Sequence, residues 1–191
     1  GSVALLDGSR ALAERTENVP QRHLEWLAPV TADLLAQAGW SPAQVEAVAV
    51  STGPGSFTSL RIGMAAALIW SRAHDRPIVG IPTLAVVAAS AGAAGAIAPL
   101  LDVRRGEVAA ALFRRDGGLT RLLADAVGPV EDVLRQLPAD PSITFTGDAL
   151  ERYQDAVVRL RPGAVLAPRD RWIPTAAAIG GLAWERLRRG E

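Results

Sequence analysis

The stretch that most limits how this chain can fold is Ser51-Thr-Gly-Pro-Gly-Ser-Phe-Thr-Ser-Leu-Arg-Ile-Gly63. The short apolar segment Ala47 to Ser51 that leads into it reads as a strand. Gly53 and Gly55 let the backbone turn sharply and leave amide groups uncovered. Ser56 stands where a helix N-cap belongs, and the predicted helix runs from about Phe57 to His74. Arg76-Pro77 stops it, and Ile78 to Ile81 forms the next strand. Strand, helix, strand with apolar strands marks a parallel sheet, so the fold class is α/β.

Uncovered amides and the positive end of a helix dipole favour an anion. Gly53, Gly55 and Ser56 are therefore candidate contacts for a phosphate or nucleotide. The same residues also suit a plain helix entry packed against a neighbour, and both readings stand. The loop is not a P-loop, since it has no Lys, and it is not a dinucleotide fingerprint.

The helix behind the turn carries a second constraint. Leu60, Ile62, Met64, Leu68, Ile69 and Trp70 spread around much of its circumference. A helix apolar on most sides is buried on more than one. One side can face the sheet. Gly63, Ala65, Ala66 and Ala67 are small enough for close contact on another, where a second subunit is the expected cover.

Elsewhere the chain opens with a hairpin, Ser2 to Leu6 and Ala11 to Thr16, joined at Asp7-Gly8-Ser9. A helix is predicted from about Arg22 to Ala38, bent at Pro29 and ended by Gly39. Leu24, Leu27, Thr31, Leu34, Leu35 and Ala38 share one face. A second stripe, His23, Trp26, Val30 and Gln37, lies beside it and either widens the core face or meets a partner. Ser41-Pro42 starts a short helical turn. Thr83 to Ser90 reads as helix, and Gly92 to Gly95 as a linker, which sets the expected lobes at residues 1–91 and 92–191. The last helix, Ala176 to Arg188, is allowed to pack back on the first lobe. Between them lie strands at Ala96 to Val103, Glu107 to Phe113 and Ile143 to Thr146. Helices are expected at Val130 to Leu137 and after Gly147-Asp148.

Composition narrows the function. With 20 basic and 20 acidic residues the net charge is zero, so the chain lacks the basic excess of a protein that grips nucleic acid alone. Every basic residue is Arg. Cysteine is absent, which excludes disulfides, Cys-ligated zinc and a thiol nucleophile, and fits a reducing compartment. Charged residues interrupt the long apolar stretches, so no membrane span is expected. Gly1 to Asp7 shows no basic region before an apolar one, so no secretory signal is expected either.

The run Gly53-Pro-Gly-Ser-Phe-Thr-x-Leu-Arg-Ile-Gly63 resembles the hallmark of the TsaB (YeaZ-like) family. Further likenesses follow in order: Arg22-His23-Leu24-Glu25 to Pro29, Val79-Gly80-Ile81, Asp102-Val-Arg-Arg-Gly-Glu-Val108 and Thr146-Gly147-Asp148. Ser59 stands where the family has Gly. The family opens with a strand ending in an Asp-Thr turn, whereas this sequence starts at about the strand after it. The first sheet is therefore expected to show a gap or an exposed strand edge. The resemblance implies a two-lobed fold of the actin-like ATPase and sugar-kinase type, with mixed sheets and flanking helices. It also implies a non-catalytic subunit in the cytoplasm, without a cofactor, supporting a TsaD-like catalytic subunit, with a TsaE-like ATPase completing the complex. That complex transfers a threonylcarbamoyl group to adenosine 37 of tRNA. The tRNA would be met only through the complex, and a homodimer is an alternative assembly. The candidate partner interface is His23, Trp26, Val30, Phe57, Leu60, Arg61, Met64 and Ala66.

Rival chemistries are thin in the sequence. A glycoprotease-like peptidase would need clustered metal ligands, and the two histidines, His23 and His74, lie on different predicted helices. An ATP-dependent phosphotransferase or hydrolase could draw on Asp7, Asp102 and Asp148, but each sits at a turn, where Asp commonly serves the backbone.

Overall fold

The computed structural model describes residues 1–17 and 23–190, with side chains from residue 25 onward in the second stretch. The start expected at Arg22 for the first helix lies outside them. Two compact units are present, one made of residues 1–52, 56–81 and 175–191 and the other of 53–55 and 82–174.

The first unit opens with the expected hairpin, β1 (Ser2–Asp7) and β2 (Arg10–Thr16), antiparallel with a register shift between Leu5 and Leu6. Next come α1 (His23–Ala38), a 3-10 turn over Pro42–Gln44 and β3 (Val48–Ser51). In that turn the Gln44 side-chain oxygen accepts the Ser41 amide at 2.8 Å. The helix α2 (Phe57–His74) leads to β4 (Ile78–Ile81), which pairs parallel with β3 as the apolar pattern requires. Ser56 caps α2 by accepting the Ser59 amide at 3.5 Å, and Asp75 closes it in the left-handed region, φ 51°.

Among the described residues, β1–β2 and β3–β4 form two separate two-stranded sheets. The apolar residues of β1 and β3 are only half-buried. The last helix, α6 (Ala176–Leu187), packs against all four strands. It approaches β1 through Gly180, where a Cβ would come within 2.6 Å of a Leu6 methyl. Its Arg186 donates to the Gly80 carbonyl at 2.9 Å. Gly80 is equally constrained, since a Cβ there would meet the Thr52 methyl at 2.7 Å.

The second unit is a five-stranded mixed sheet in the order β7-β6-β5-β8-β9. Its strands are β5 (Gly95–Arg104), β6 (Glu107–Asp116), β7 (Gly118–Pro129), β8 (Thr144–Thr146) and β9 (Val165–Leu166). β5 and β6 are buried along consecutive residues, so the sheet is covered on both faces. Three helices complete the unit: α3 (Thr83–Ser90), α4 (Val130–Gln136) and α5 (Leu150–Leu160). Nearly every residue of α3 is buried, which fits a helix apolar all round. The long strand β7 and the short strand β9 were not expected from the sequence.

Candidate functional site

α2 presents an apolar face that none of the described residues of its own unit covers. Phe57 is 73% exposed and Ile69 68%, and Leu68 is also exposed. Ala67 is the only residue of the helix that is fully buried. The Arg61 guanidinium lies 5.2 Å from the centre of the Phe57 ring, one helical turn away. That contact steadies both side chains while leaving the arginine head in water. Phe57, Arg61, Ala65, Leu68 and Arg72 form one solvent-facing stripe at helical spacing, with Ile69 beside it. Leu60, Met64 and Ala66 are half-buried along the flanks.

α1 lies beside α2 in the same unit. Trp26 is half-buried, and its indole N–H donates to the Glu17 carboxylate at 3.0 Å. Val30 is 5% exposed and packs in the core with Leu34 and Leu35, so it offers no surface to a partner. The His23 side chain lies outside the described residues. The structure thus brings Phe57, Leu60, Arg61, Met64 and Ala66 together on one helix, with Trp26 on its neighbour. Leu68 and Ile69 were not among the sequence candidates. Their signal was present, since they continue the line through Phe57 and Arg61 by two further turns.

The glycine turn is built from the backbone. Its Gly53-Pro54 peptide is cis, and Gly53 has φ 107°, which favours glycine. Gly53 and Thr83 bind each other twice. The Thr83 amide donates to the Gly53 carbonyl at 2.7 Å, and the Gly53 amide donates to the Thr83 hydroxyl at 3.1 Å. The Gly53 amide is therefore already engaged. Gly53 and Gly55 belong to the second unit and Ser56 to the first. The Ser56 hydroxyl is engaged by the Ser59 amide and by the Ser59 hydroxyl at 3.1 Å.

The acidic turn residues serve the backbone. Asp148 accepts the Asp102 amide at 3.0 Å, and Asp102 in turn accepts the Arg104 amide at 2.8 Å. This chain of contacts steadies the β5–β6 hairpin, where Arg104 and Arg105 have φ 74° and 57°. Asp148 keeps exposed surface, yet its carboxyl is bound inward. Desolvation pushes its pKa above the ordinary 3.8, and the nearby Asp102 and Glu151 charges add to the rise, against the Asp102 amide. Asp7 faces Arg10 across the first hairpin turn at 3.8 Å. Among the described residues, no three of His, Cys, Asp and Glu gather as metal ligands would. None of the described helices is long and apolar enough to cross a membrane.

A family model described as TsaD, tRNA N6-adenosine threonylcarbamoyltransferase, matches residues 14–157. The tRNA threonylcarbamoyladenosine biosynthesis protein TsaB of Escherichia coli (strain K12) is 34% identical over 118 residues, covering 60% of this chain and 51% of that protein. The protein of the same name from Bacillus subtilis (strain 168) is 31% identical over 150 residues, covering 76% of this chain and 65% of that protein. The chain thus spans less than two thirds of either relative's length. A solved structure from Pseudomonas aeruginosa, described as an uncharacterized protein with similarity to peptidase YEAZ, matches with a TM-score of 0.86 at 30% identity. That match covers 100% of this chain and 88% of the other. Mixed sheets with flanking helices are those of the actin-like ATPase and sugar-kinase type. Matches to proteins named as the transferase itself are shorter, as in Symbiobacterium thermophilum, where 65 residues and 34% of this chain align. The 150-residue likeness is to a protein named TsaB and the whole-chain likeness is to a YEAZ-like structure, so the chain belongs to the TsaB (YeaZ-like) family.

Proposed function

We propose that this chain is a non-catalytic subunit of the bacterial complex that makes tRNA threonylcarbamoyladenosine. In this reading it supports a TsaD-like catalytic subunit in the cytoplasm, a TsaE-like ATPase completes the complex, and tRNA is met only through the assembly. The observation that carries it is the uncovered α2 face, with Phe57 and Ile69 largely exposed and Arg61 held over Phe57. An apolar patch with an aromatic and an arginine anchor suits a protein partner. Trp26, Phe57, Leu60, Arg61, Met64 and Ala66 form the proposed interface. The names of the relatives supply the pathway. The way Asp102 and Asp148 are spent on backbone amides supports a role without chemistry of its own.

The test is co-purification with a tagged TsaD-like subunit, followed by reconstitution of tRNA modification. The expected result is a stoichiometric pair whose activity depends on this chain. Activity of the TsaD-like subunit that is unchanged by this chain, with no pair formed, would overturn the reading.

A further inference from the structure

Given the function proposed above, we infer that the tip of the β5–β6 hairpin is an RNA contact, at which the Arg104 and Arg105 guanidiniums each take a backbone phosphate of the tRNA held by the complex. Arg104 pairs in register with Glu107, so Arg105 and Gly106 are the two central residues of the turn. Their φ angles are 57° and 82°, both positive, as in the mirror-image turns of tight hairpins. Asn or Asp before Gly suits such a turn best, because a short polar side chain bonds locally to the backbone, which Arg cannot copy. Arg104 is left-handed as well, φ 74°, beside a register shift after Asp102. Two consecutive arginines thus stand where the backbone is strained and where neither helps the turn.

Neither guanidinium has a partner among the described residues, and residues 104–107 are all exposed. The nearby carboxylates do not hold them. Asp102 accepts the Arg104 amide and Asp148 accepts the Asp102 amide, so both acids fix the hairpin from behind. Glu107, opposite Arg104 in register, makes no ion pair with it. A Cβ on Gly106 would meet nothing within 4 Å, so the tip projects into open space. An arginine that anchors a protein partner sits within an apolar patch, whereas the tip, Arg104-Arg-Gly-Glu107, carries no apolar side chain. Exposed forks on a fixed, protruding turn suit phosphates, which a guanidinium binds in bidentate geometry. Two such contacts do not require a basic protein. The neutral chain adds them to an affinity that the assembly supplies.

The test uses the assembled pair with a TsaD-like subunit and a tRNA transcript, with binding read by filter retention across a salt series. Arg105→Asn gives the turn a residue it favours and removes the guanidinium. It is expected to leave the pair intact and to weaken tRNA binding about fivefold or more. The slope of log affinity against log salt should fall by about one. Arg104→Asn should behave alike, and the double variant should lose about two from the slope. Arg105→Lys keeps the charge and should keep most of the slope. Unchanged affinity and slope in the double variant, with the pair intact, would overturn this inference alone. Weakened pairing with the TsaD-like subunit would make the tip a protein contact and overturn it too. Failure of the parent chains to pair at all would overturn the proposed function, and this RNA contact with it.

Discussion

Glu14 on the second strand accepts the backbone amide of Ala177 at 2.8 Å, across 163 residues of sequence. Ser2, on the first strand, accepts the neighbouring Ala176 amide at 2.9 Å, and Thr175 accepts Ala178 at 3.2 Å. The first turn of the last helix is thus capped largely by the opening hairpin. A helix start leaves amides without internal partners, and a carboxylate there also meets the positive end of the dipole. Glu14→Ala is expected to lower stability by about 1 kcal/mol. Glu14→Gln keeps an acceptor and loses only the charge, so it should cost a few tenths. Chemical denaturation of both variants checks the order.

The proposed interface makes a sharper prediction. Ile69→Glu and Ala66→Arg should each weaken binding to a TsaD-like subunit by about 2 kcal/mol or more, the scale of an interface anchor. Both positions lie away from the fully buried core, so circular dichroism should stay at the parent level. Trp26→Ala should act in the same direction and also remove the indole's bond to Glu17. Calorimetric titration reads the affinities, and unchanged values in all three would move the interface elsewhere.

Much of this was legible before the fold was known, and the exceptions have physical causes. The bounds of α2 could be read because a Ser cap, an apolar run and an Arg-Pro stop mark both of its ends. The parallel β3–β4 pair followed from apolar strands flanking a helix. β7 escaped because its bulges break the alternation that identifies a strand, leaving Arg121 to Val127 without a period. Val30 was ambiguous because neighbouring helix positions differ by about 100°. Packing alone decides which side of the stripe is core. The mutual bonds of Gly53 and Thr83 join residues thirty apart, and no local pattern announces them.

The two separate strand pairs of the first unit predict a response to an added strand. β1 and β3 each have an unpaired edge among the described residues, and both carry half-buried apolar side chains. An apolar strand ending in Asp-Thr, fused ahead of Gly1, should pair with such an edge and bury that surface. Its melting temperature should rise by about 2–4 °C for each kcal/mol gained. A scrambled segment of the same composition is the control. Equal melting temperatures for the two fusions would show that neither edge accepts a strand.

Asp148 predicts a pH dependence. Its folded pKa lies above the ordinary 3.8 because the carboxyl is desolvated and faces other acids. For an acid raised in this way, the favourable contribution is present below 3.8. It is lost as pH rises through the folded value. At neutral pH the ionised group therefore weighs against the fold. Asp148→Asn can still accept the Asp102 amide and carries no charge. The variant should gain stability relative to the parent near neutrality, and the gain should fade below 3.8. Urea melts across that range give the sign, and a variant less stable than the parent at neutrality would reverse the assignment.

Arg161 offers the last test, and it concerns how a seven-residue helix is held. α4 leaves carbonyls at its C-terminal end that its own ladder cannot satisfy. The Arg161 guanidinium, reaching from just past the end of α5, donates to the carbonyls of Leu134, Leu137 and Pro138, the last two at 2.6 and 2.9 Å. A cation at that end also complements the helix dipole. Arg161→Ala removes the donors and leaves the carbonyls to water or to nothing. Bonds to a charged donor contribute more than neutral ones, so the expected loss is about 2 kcal/mol. Arg161→Lys keeps the charge but cannot reach three carbonyls with a planar fork, and it should recover less than half of that loss. The loss should appear first as faster amide exchange in α4 and at Leu137. A global destabilisation with α4 exchange unchanged relative to the rest of the unit would place the role of Arg161 elsewhere.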